Sequence, residues 1–425
     1  MPSGGGPARA RLMETHLADF IRDTRAGHEA EDILRRCVHC GFCTATCPTY
    51  QLFGDELDGP RGRIYLIKQV LEGAVPTQKT LLHLDRCLSC RSCESTCPSG
   101  VHYSRLLDIG REVVERRVGR GGVDGAMRAV LKNVLPRATL FGAAMRLGQS
   151  VRLLLPGMLR AKVPPLTAAG PRPRGGHARK LIALAGCVQP SMFPNINGAT
   201  RRVLDRLGIE MVEPPGAGCC GAVRLHLNDA DASREDARRN IDAWWPLLEA
   251  GAEGLVMTAS GCGAHVLEYA HLLQDDPEYA IKAARITLAT RDVSEVIAAE
   301  ATALAALLGD CAPLPDGERP LAFHSPCSLQ HGLKIRGTVE GLLGAAGYML
   351  VPVADAHLCC GSAGTYSVLQ PEISGRLQAN KIAALTAAAP RAIASANVGC
   401  IGHLQGATDL PVRHWIELID ERLAS

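Results

Sequence analysis

The chain has 425 residues, a hydrophobic fraction of 47% and a net charge of +3. That length supports two or three domains with buried cores, and the small net charge argues against a polyanionic partner. Aromatic residues, at 4%, are too few for a base-stacking surface, so nucleic acid is not an expected ligand. Seventeen cysteines are the outstanding feature.

Residues 1–20 include Arg9 and Arg11 but no continuous apolar core of the signal-peptide kind. No apolar run approaches the roughly eighteen residues that span a bilayer. The expected location is therefore cytoplasmic, where clustered cysteines bind metal more often than they form disulfides.

Residues 1–120 read as a helical ferredoxin domain. Cys37, Cys40, Cys43 and Cys47-Pro48 are followed by Cys87, Cys90, Cys93 and Cys97-Pro98 at identical spacing. Three thiolates two residues apart reach three irons of one cubane, and the fourth, turned by proline, reaches its neighbour. One [4Fe–4S] cluster is thus expected on Cys37, Cys40, Cys43 and Cys97. The other is expected on Cys87, Cys90, Cys93 and Cys47. Zinc would explain paired C-x-x-C elements, but not a third cysteine in register or the repeated Cys-Pro. His39 and His83 read as ordinary polar residues near these loops. The 39 intervening residues are too many for a hairpin. Ile64, Ile67 and Leu71 share one helical face, and Leu106, Ile109 and Val113 repeat that spacing.

Residues 121–180 read as a basic linker. Between Gly125 and Lys180 there are eleven bases and no acid. Leu140, Phe141, Met145, Leu153, Leu154, Leu155, Met158 and Leu159 are interspersed among them. Such a mixture suits peripheral contact with an anionic bilayer, while Pro136, Pro156, Pro164 and Pro165 limit helix length.

Residues 181–310 and 311–425 read as two copies of one α/β domain. Thirty-one residues separate Cys187 from Cys219-Cys220-Gly221, and the same number separate Cys327 from Cys359-Cys360-Gly361. Gly261-Cys262 and Gly399-Cys400 follow. Helical phrases, Arg291–Ile297 and Arg413–Ile419, close the copies. Apolar runs at 181–185, 254–258, 321–323 and 392–396 predict strands, with 211–213 and 349–353 weaker. Residues 233–250 predict a helix capped near Ser233 and Asp236. Alternating strands and helices imply a mainly parallel sheet, with the cysteines just past strand C-termini. These cysteines could hold a further metal centre, form a redox dithiol, or pack as small hydrophobes; adjacency with glycine, repeated, favours the first. Cys311 has no assigned role. His324, His331, His357 and His403 lie near the cysteine loops and read as hydrogen-bonded loop residues. No flavin or nicotinamide motif is evident; Gly216–Gly221 fits G-x-G-x-x-G only formally, and no catalytic residue is assigned.

With Asp58–Arg63, Asn240–Pro246 and Arg413–Glu417 added to the cysteine motifs, the chain resembles the iron–sulfur subunits of bacterial glycolate oxidases (glycolate dehydrogenases) over nearly its whole length. The motifs alone are shared with subunits of lactate-utilisation and glycerol-3-phosphate dehydrogenases and with heterodisulfide reductases. The resemblance implies electron transfer from FAD on a partner flavoprotein subunit during oxidation of glycolate, or D-lactate, towards a membrane quinone or another acceptor. It also implies a cytoplasmic complex, peripheral on the inner membrane. Heterodisulfide-reductase-like units carry C-x-x-C at the last motif, where this chain has Ala259 and Asn397. That departure leaves four-thiolate centres at Cys187, Cys219, Cys220 and Cys262, or at Cys327, Cys359, Cys360 and Cys400, as candidates. A free-standing thiol–disulfide reductase and a non-catalytic assembly module are the alternatives.

Overall fold

The computed structural model describes residues 13–160 and 162–424, with Met158 and Leu159 described for their backbone alone. Those two members of the interspersed apolar set thus lie outside the described side chains. The chain forms two units that meet in sequence at Gly121–Gly122.

The first unit is helical. Its longer helices are Arg25–Arg36, Pro60–Leu71, Gln78–Asp85 and Tyr103–Val118, with short turns of helix beside each cysteine run. Thr24 caps the first of these by accepting the Gly27 N–H, and Thr77 and Thr80 form a capping box for the third. Ile64, Ile67 and Leu71 are buried together as their spacing predicts. The Tyr103–Val118 helix is rotated from expectation: Leu106, Leu107, Gly110 and Val114 are buried, whereas Ile109 and Val113 pack only at the margin. Gly110 explains the rotation. A Cβ there would lie 2.5 Å from Ile67 Cγ1, so glycine lets the two helices approach closely.

The second unit contains two sheets, each of four parallel strands. The first holds β1 (Arg179–Ala183), β2 (Ile209–Val212), β3 (Gly254–Met257) and β4 (Thr290–Asp292) in the order β2-β1-β3-β4. The second holds β5 (Pro320–His324), β6 (Met349–Leu350), β7 (Ala392–Ser395) and β8 (Val412–His414) in the order β6-β5-β7-β8. β4 and β8 take the opening residues of the two phrases expected to be helical; helices begin only at Val293 and Trp415. The helix expected over 233–250 runs Ala230–Glu249 and is capped by Asp229, while Ser233 and Asp236 are buried on its inner side. One apolar core runs through both sheets, from Leu181 and Val256 to Leu321, Ile393 and Ile419. Polar ties join the copies as well: Arg202 holds Asp420 through two nitrogens at 3.0 and 2.7 Å, and Asn195 donates to Glu417 at 2.8 Å.

Within the stretch expected as a basic linker, Gly122–Val134 and Ala138–Ser150 are helices. Phe141 and Met145 are buried, so they leave the surface set. Arg128 pairs with Asp124, Lys132 with Asp229, Arg179 with Glu253 and Glu300, and Lys180 with Glu210. Arg137, Arg146, Arg160, Arg172 and Arg174 are exposed, as are Leu140, Leu147, Leu153, Leu154 and Leu166.

Candidate metal centres

Each cysteine run in the first unit turns through two residues in the left-handed region. In the first they are His39 (φ 53°) and Gly41 (φ 84°); in the second, Ser89 (φ 51°) and Arg91 (φ 60°) stand at the same places. Three of these four are not glycine, a conformation found mainly where function requires it. The turns wrap each run around a cleft. Cys37, Cys40, Cys43 and Cys97 line one, with about 450 Å³ of empty space including its mouth. Cys47, Cys87, Cys90 and Cys93 line the other, of about 380 Å³, and Cys93 borders both. The fourth cysteine of each run therefore faces the opposite cleft. Cys47 is placed there by the N-terminus of the Pro48–Phe53 helix, which begins on its proline.

Electrostatics describe the same two groups. Cys43 is pushed up to about 11 by burial and then by Cys37, Cys40 and Cys97. Burial raises Cys93 well above the ordinary thiol range, and Cys90, Cys87, Glu94 and Cys47 add to it. Four such thiols cannot ionise together unless a cation offsets their charge. All-sulfur donor sets on tight loops fit iron–sulfur clusters in both clefts.

Arg61 borders one cleft, and Arg63 and Arg91 border the other. Arg61 lines the Cys37 cleft, about a third exposed, and its guanidinium is paired with Glu56 at 2.6 Å. Arg63 lines the Cys87 cleft and is 1% exposed. It donates to His83 O at 2.7 Å and Thr49 Oγ1 at 3.2 Å, and lies 3.4 Å from buried Asp58. Asp58 also meets Arg86 at 2.7 Å and His83 Nδ1 at 3.0 Å. Arg111 donates to the carbonyls of Leu84 and Cys87. The Cys87 cleft is therefore bordered by a buried arginine–aspartate network, a feature that cysteine spacing alone does not signal.

In the second unit the three turns after β1, β2 and β3 bring together Cys187, Cys219-Cys220 and Cys262. The turns after β5, β6 and β7 do the same for Cys327, Cys359-Cys360 and Cys400. Loops beyond the C-terminal ends of parallel strands converge in this way. The Gly221 and Gly361 N–H groups donate to Cys219 and Cys359 Sγ at 3.4 Å, with both glycines left-handed. Hydrogen bonds from Cys187 and Cys220 hold Cys219 below the ordinary thiol range, and those two thiols are correspondingly raised. Cys327 Sγ lies 3.9 Å from Cys359 Sγ. The bond to Cys359 draws Cys360 down, but its bond to Cys400 and its burial outweigh that pull. Asn397 links the copies: its Oδ1 accepts the Gly261 N–H at 3.3 Å, and its Nδ2 donates to Cys400 Sγ at 3.4 Å. Cys311 donates to Leu307 O, away from both sets.

Of the four histidines expected in loops, only His357 lies in one: His324 ends β5, and His331 and His403 lie in the helices Ser328–Gly332 and Val398–Gln405. His331 contacts His357 O at 3.0 Å, and His403 contacts Ser374 Oγ at 3.3 Å, much as His265 contacts Ser233 in the first copy. His357 is half-buried. His324 is buried, with Nδ1 3.0 Å from Ser395 Oγ and Nε2 without a hydrogen-bond partner. A ring nitrogen of His324, Cys360 Sγ and Cys400 Sγ lie within 4.8 Å of one another.

Residues 33–101 match the 4Fe-4S dicluster domain family, and residues 182–266 and 321–405 each match the cysteine-rich domain family. Over 412 residues the chain is 51% identical to the glycolate oxidase iron-sulfur subunit of Escherichia coli (strain K12), covering 97% of this chain and 99% of that protein. The chain belongs to this family of iron–sulfur subunits. It is also 31% identical over 411 residues, 88% of that protein, to the "Probable glycolate oxidase iron-sulfur subunit" of Bacillus subtilis (strain 168). Similarity to lactate utilization protein A of an Exiguobacterium strain is 26% over 245 residues, 55% of this chain and 94% of that protein. The family match places an iron–sulfur domain over the eight cysteines of the first unit.

Replacing one crossing cysteine distinguishes the crossed grouping from a run-by-run one. Cys97→Ser is expected to perturb the cluster shared with Cys37, Cys40 and Cys43, and Cys47→Ser the other, as read by EPR of the dithionite-reduced protein. Loss confined to the cluster of the mutated cysteine's own run contradicts the crossed grouping.

Proposed function

We propose that this chain is the electron relay of a glycolate-oxidising complex. Two [4Fe–4S] clusters, on Cys37, Cys40, Cys43 and Cys97 and on Cys87, Cys90, Cys93 and Cys47, accept single electrons from FAD on a partner flavoprotein subunit. They pass them towards a membrane quinone or another acceptor. Glycolate becomes glyoxylate on the flavoprotein, and D-lactate is a second substrate class for the same chemistry. The observation that carries this reading is the pair of cysteine-lined clefts sharing Cys93 as a common wall. Adjacent clusters suit stepwise single-electron passage.

One edge of the pair reaches the surface. Cys40 is exposed, and Val38 and Phe42 beside it are 43% and 60% exposed. Exposed apolar side chains flanking a metal ligand suit a partner that must bring its own redox group close.

The second unit, on this reading, holds at least one further metal centre on Cys187, Cys219, Cys220 and Cys262 or on Cys327, Cys359, Cys360 and Cys400. The same charge argument supports it: buried thiols raise one another until a cation is supplied. Peripheral attachment to the cytoplasmic face of the membrane is supported by the exposed arginines and leucines of 137–174, each base contributing roughly 1 kcal/mol near an anionic surface. No helix among the described residues is long and apolar enough to cross a membrane.

Three measurements test these assignments. Glycolate added anaerobically to the complex of this chain with its flavoprotein is expected to reduce both clusters. Phe42→Glu should slow that reduction about tenfold or more at unchanged iron content, the size of effect seen at interface aromatics. Reduced FAD beside oxidised clusters would refute the relay. Metal analysis of the full chain should show metal beyond eight irons that Cys219→Ser or Cys359→Ser removes; finding none returns those cysteines to simple packing. Anionic vesicles should co-sediment the complex at low salt, less so at high salt or after neutralising Arg137, Arg146, Arg172 and Arg174. Absence of binding at low salt rejects the membrane contact.

A further inference from the structure

The two copies of the second unit share spacing but not chemistry at one place. Counting three residues back from the first cysteine gives Leu184 in the first copy and His324 in the second. Counting five residues back from the last gives Met257 and Ser395. Leu184 and Met257 are buried in an apolar cluster that also contains Cys220. At the matching place in the second copy, β5 and β7 pair His324 with Ser395 in register, and both residues are buried. An apolar pair in one copy is thus a polar pair in the other, at the floor of the cysteine set.

The polar pair orients a ligand atom. Ser395 Oγ, 3.0 Å from Nδ1, fixes the imidazole plane, and with Nδ1 as donor the lone pair belongs to Nε2. Metal-binding histidines are commonly held this way, the second ring nitrogen engaging an oxygen. Nε2 itself is buried and has no hydrogen-bond partner, an expense that protein interiors rarely tolerate. A ring nitrogen of His324 lies within 4.8 Å of Cys360 Sγ and Cys400 Sγ, which themselves lie within that distance of each other, and with Nδ1 taken up by Ser395 the free donor is Nε2. Ligands of one tetrahedral ion with metal–sulfur bonds near 2.3 Å and metal–nitrogen bonds near 2.0 Å stand about 3.5–3.8 Å apart. Cys359 bonds to Cys360 and lies 3.9 Å from Cys327, so the remaining thiols continue the same group. Lys381 is buried alongside, donating to Asp355 O at 2.7 Å.

We propose that the second copy holds a metal centre in which His324 Nε2 is a ligand beside Cys360 and Cys400, with one thiol of the Cys327–Cys359 pair as the fourth donor. The first copy has no nitrogen donor at this place. Imidazole with thiolates selects iron in an iron–sulfur cluster, or zinc. The inference rests on the reading that the duplicated half binds metal, and assigns that metal a copy and a nitrogen ligand.

The test uses the full chain, purified anaerobically, with iron, sulfide and zinc measured per chain. Wild type should contain metal beyond the eight irons of the first unit. His324→Leu, which installs the residue of the first copy, should lose that excess and keep the eight. His324→Cys should keep the excess but change its signature. For iron, the strong nitrogen coupling in pulsed EPR of histidine-15N-labelled protein disappears; for zinc, the absorption of the cobalt-substituted site shifts towards that of an all-thiolate site. No excess metal in wild type overturns the underlying reading. Excess metal that survives His324→Leu with its spectra unchanged, or that Cys219→Ser removes and Cys360→Ser does not, overturns the role of His324 and leaves the underlying reading intact.

Discussion

Crowded thiols set the terms for the rest of this protein. In the first unit, eight cysteines share two adjoining clefts, and burial together with mutual repulsion raises thiols such as Cys43 and Cys93. Such thiols ionise together only beside a compensating cation, and the local backbone turns them towards a common space. Left-handed residues at 39, 41, 89 and 91 wrap the loops inward at a conformational cost. Pro48 starts a helix that turns Cys47 towards the opposite cleft.

The arginines of the Asp58–Arg63 stretch continue the same logic at longer range. Two residues apart at the start of one helix, Arg61 and Arg63 border different clefts, one screened by solvent and Glu56, the other desolvated. Burial near the Cys87 cleft opposes adding an electron, because it disfavours extra negative charge; Arg63 and Arg111 act in the other direction. Desolvated charges interact several-fold more strongly than surface pairs, so these two weigh more than Arg61. The two clefts thus have unequal surroundings although their cysteine spacings are identical.

The duplicated half solves the convergence problem differently. No single loop there carries enough cysteines, so three βα turns from adjacent parallel strands must meet, and sheet order β2-β1-β3 or β6-β5-β7 makes them meet. Duplication then supplies an interface as well as a second site. Ser260 N–H donates to Ala396 O across the copies, and Asn397 spans from Gly261 to Cys400. Asn397 thereby bridges the two cysteine sets.

Much of this was legible in the sequence because covalent spacing limits what a short loop can do. Cys37–Cys47 and Cys87–Cys97 signal their chemistry without a fold, and the equal 31-residue intervals reveal the duplication. Strong apolar runs likewise foretold β1, β3, β5 and β7, since strands buried on both faces must be apolar throughout. Edge strands β4 and β8 were hidden: three residues each, they run straight into capped helices and leave no periodic signal. The face of Tyr103–Val118 was misjudged because Gly110 has no hydrophobic side chain, yet its smallness fixes the contact with Ile67. Distant partnerships were beyond any local reading. Asp58 with Arg86, Asn397 with Gly261 and His324 with Ser395 are joined across 28, 136 and 71 residues. The sequence by itself determined which thiols could bind metal; the tertiary structure decided which of them share a cleft and brought His324 beside them, because only strand register and helix packing bring residues far apart in the chain within bonding distance.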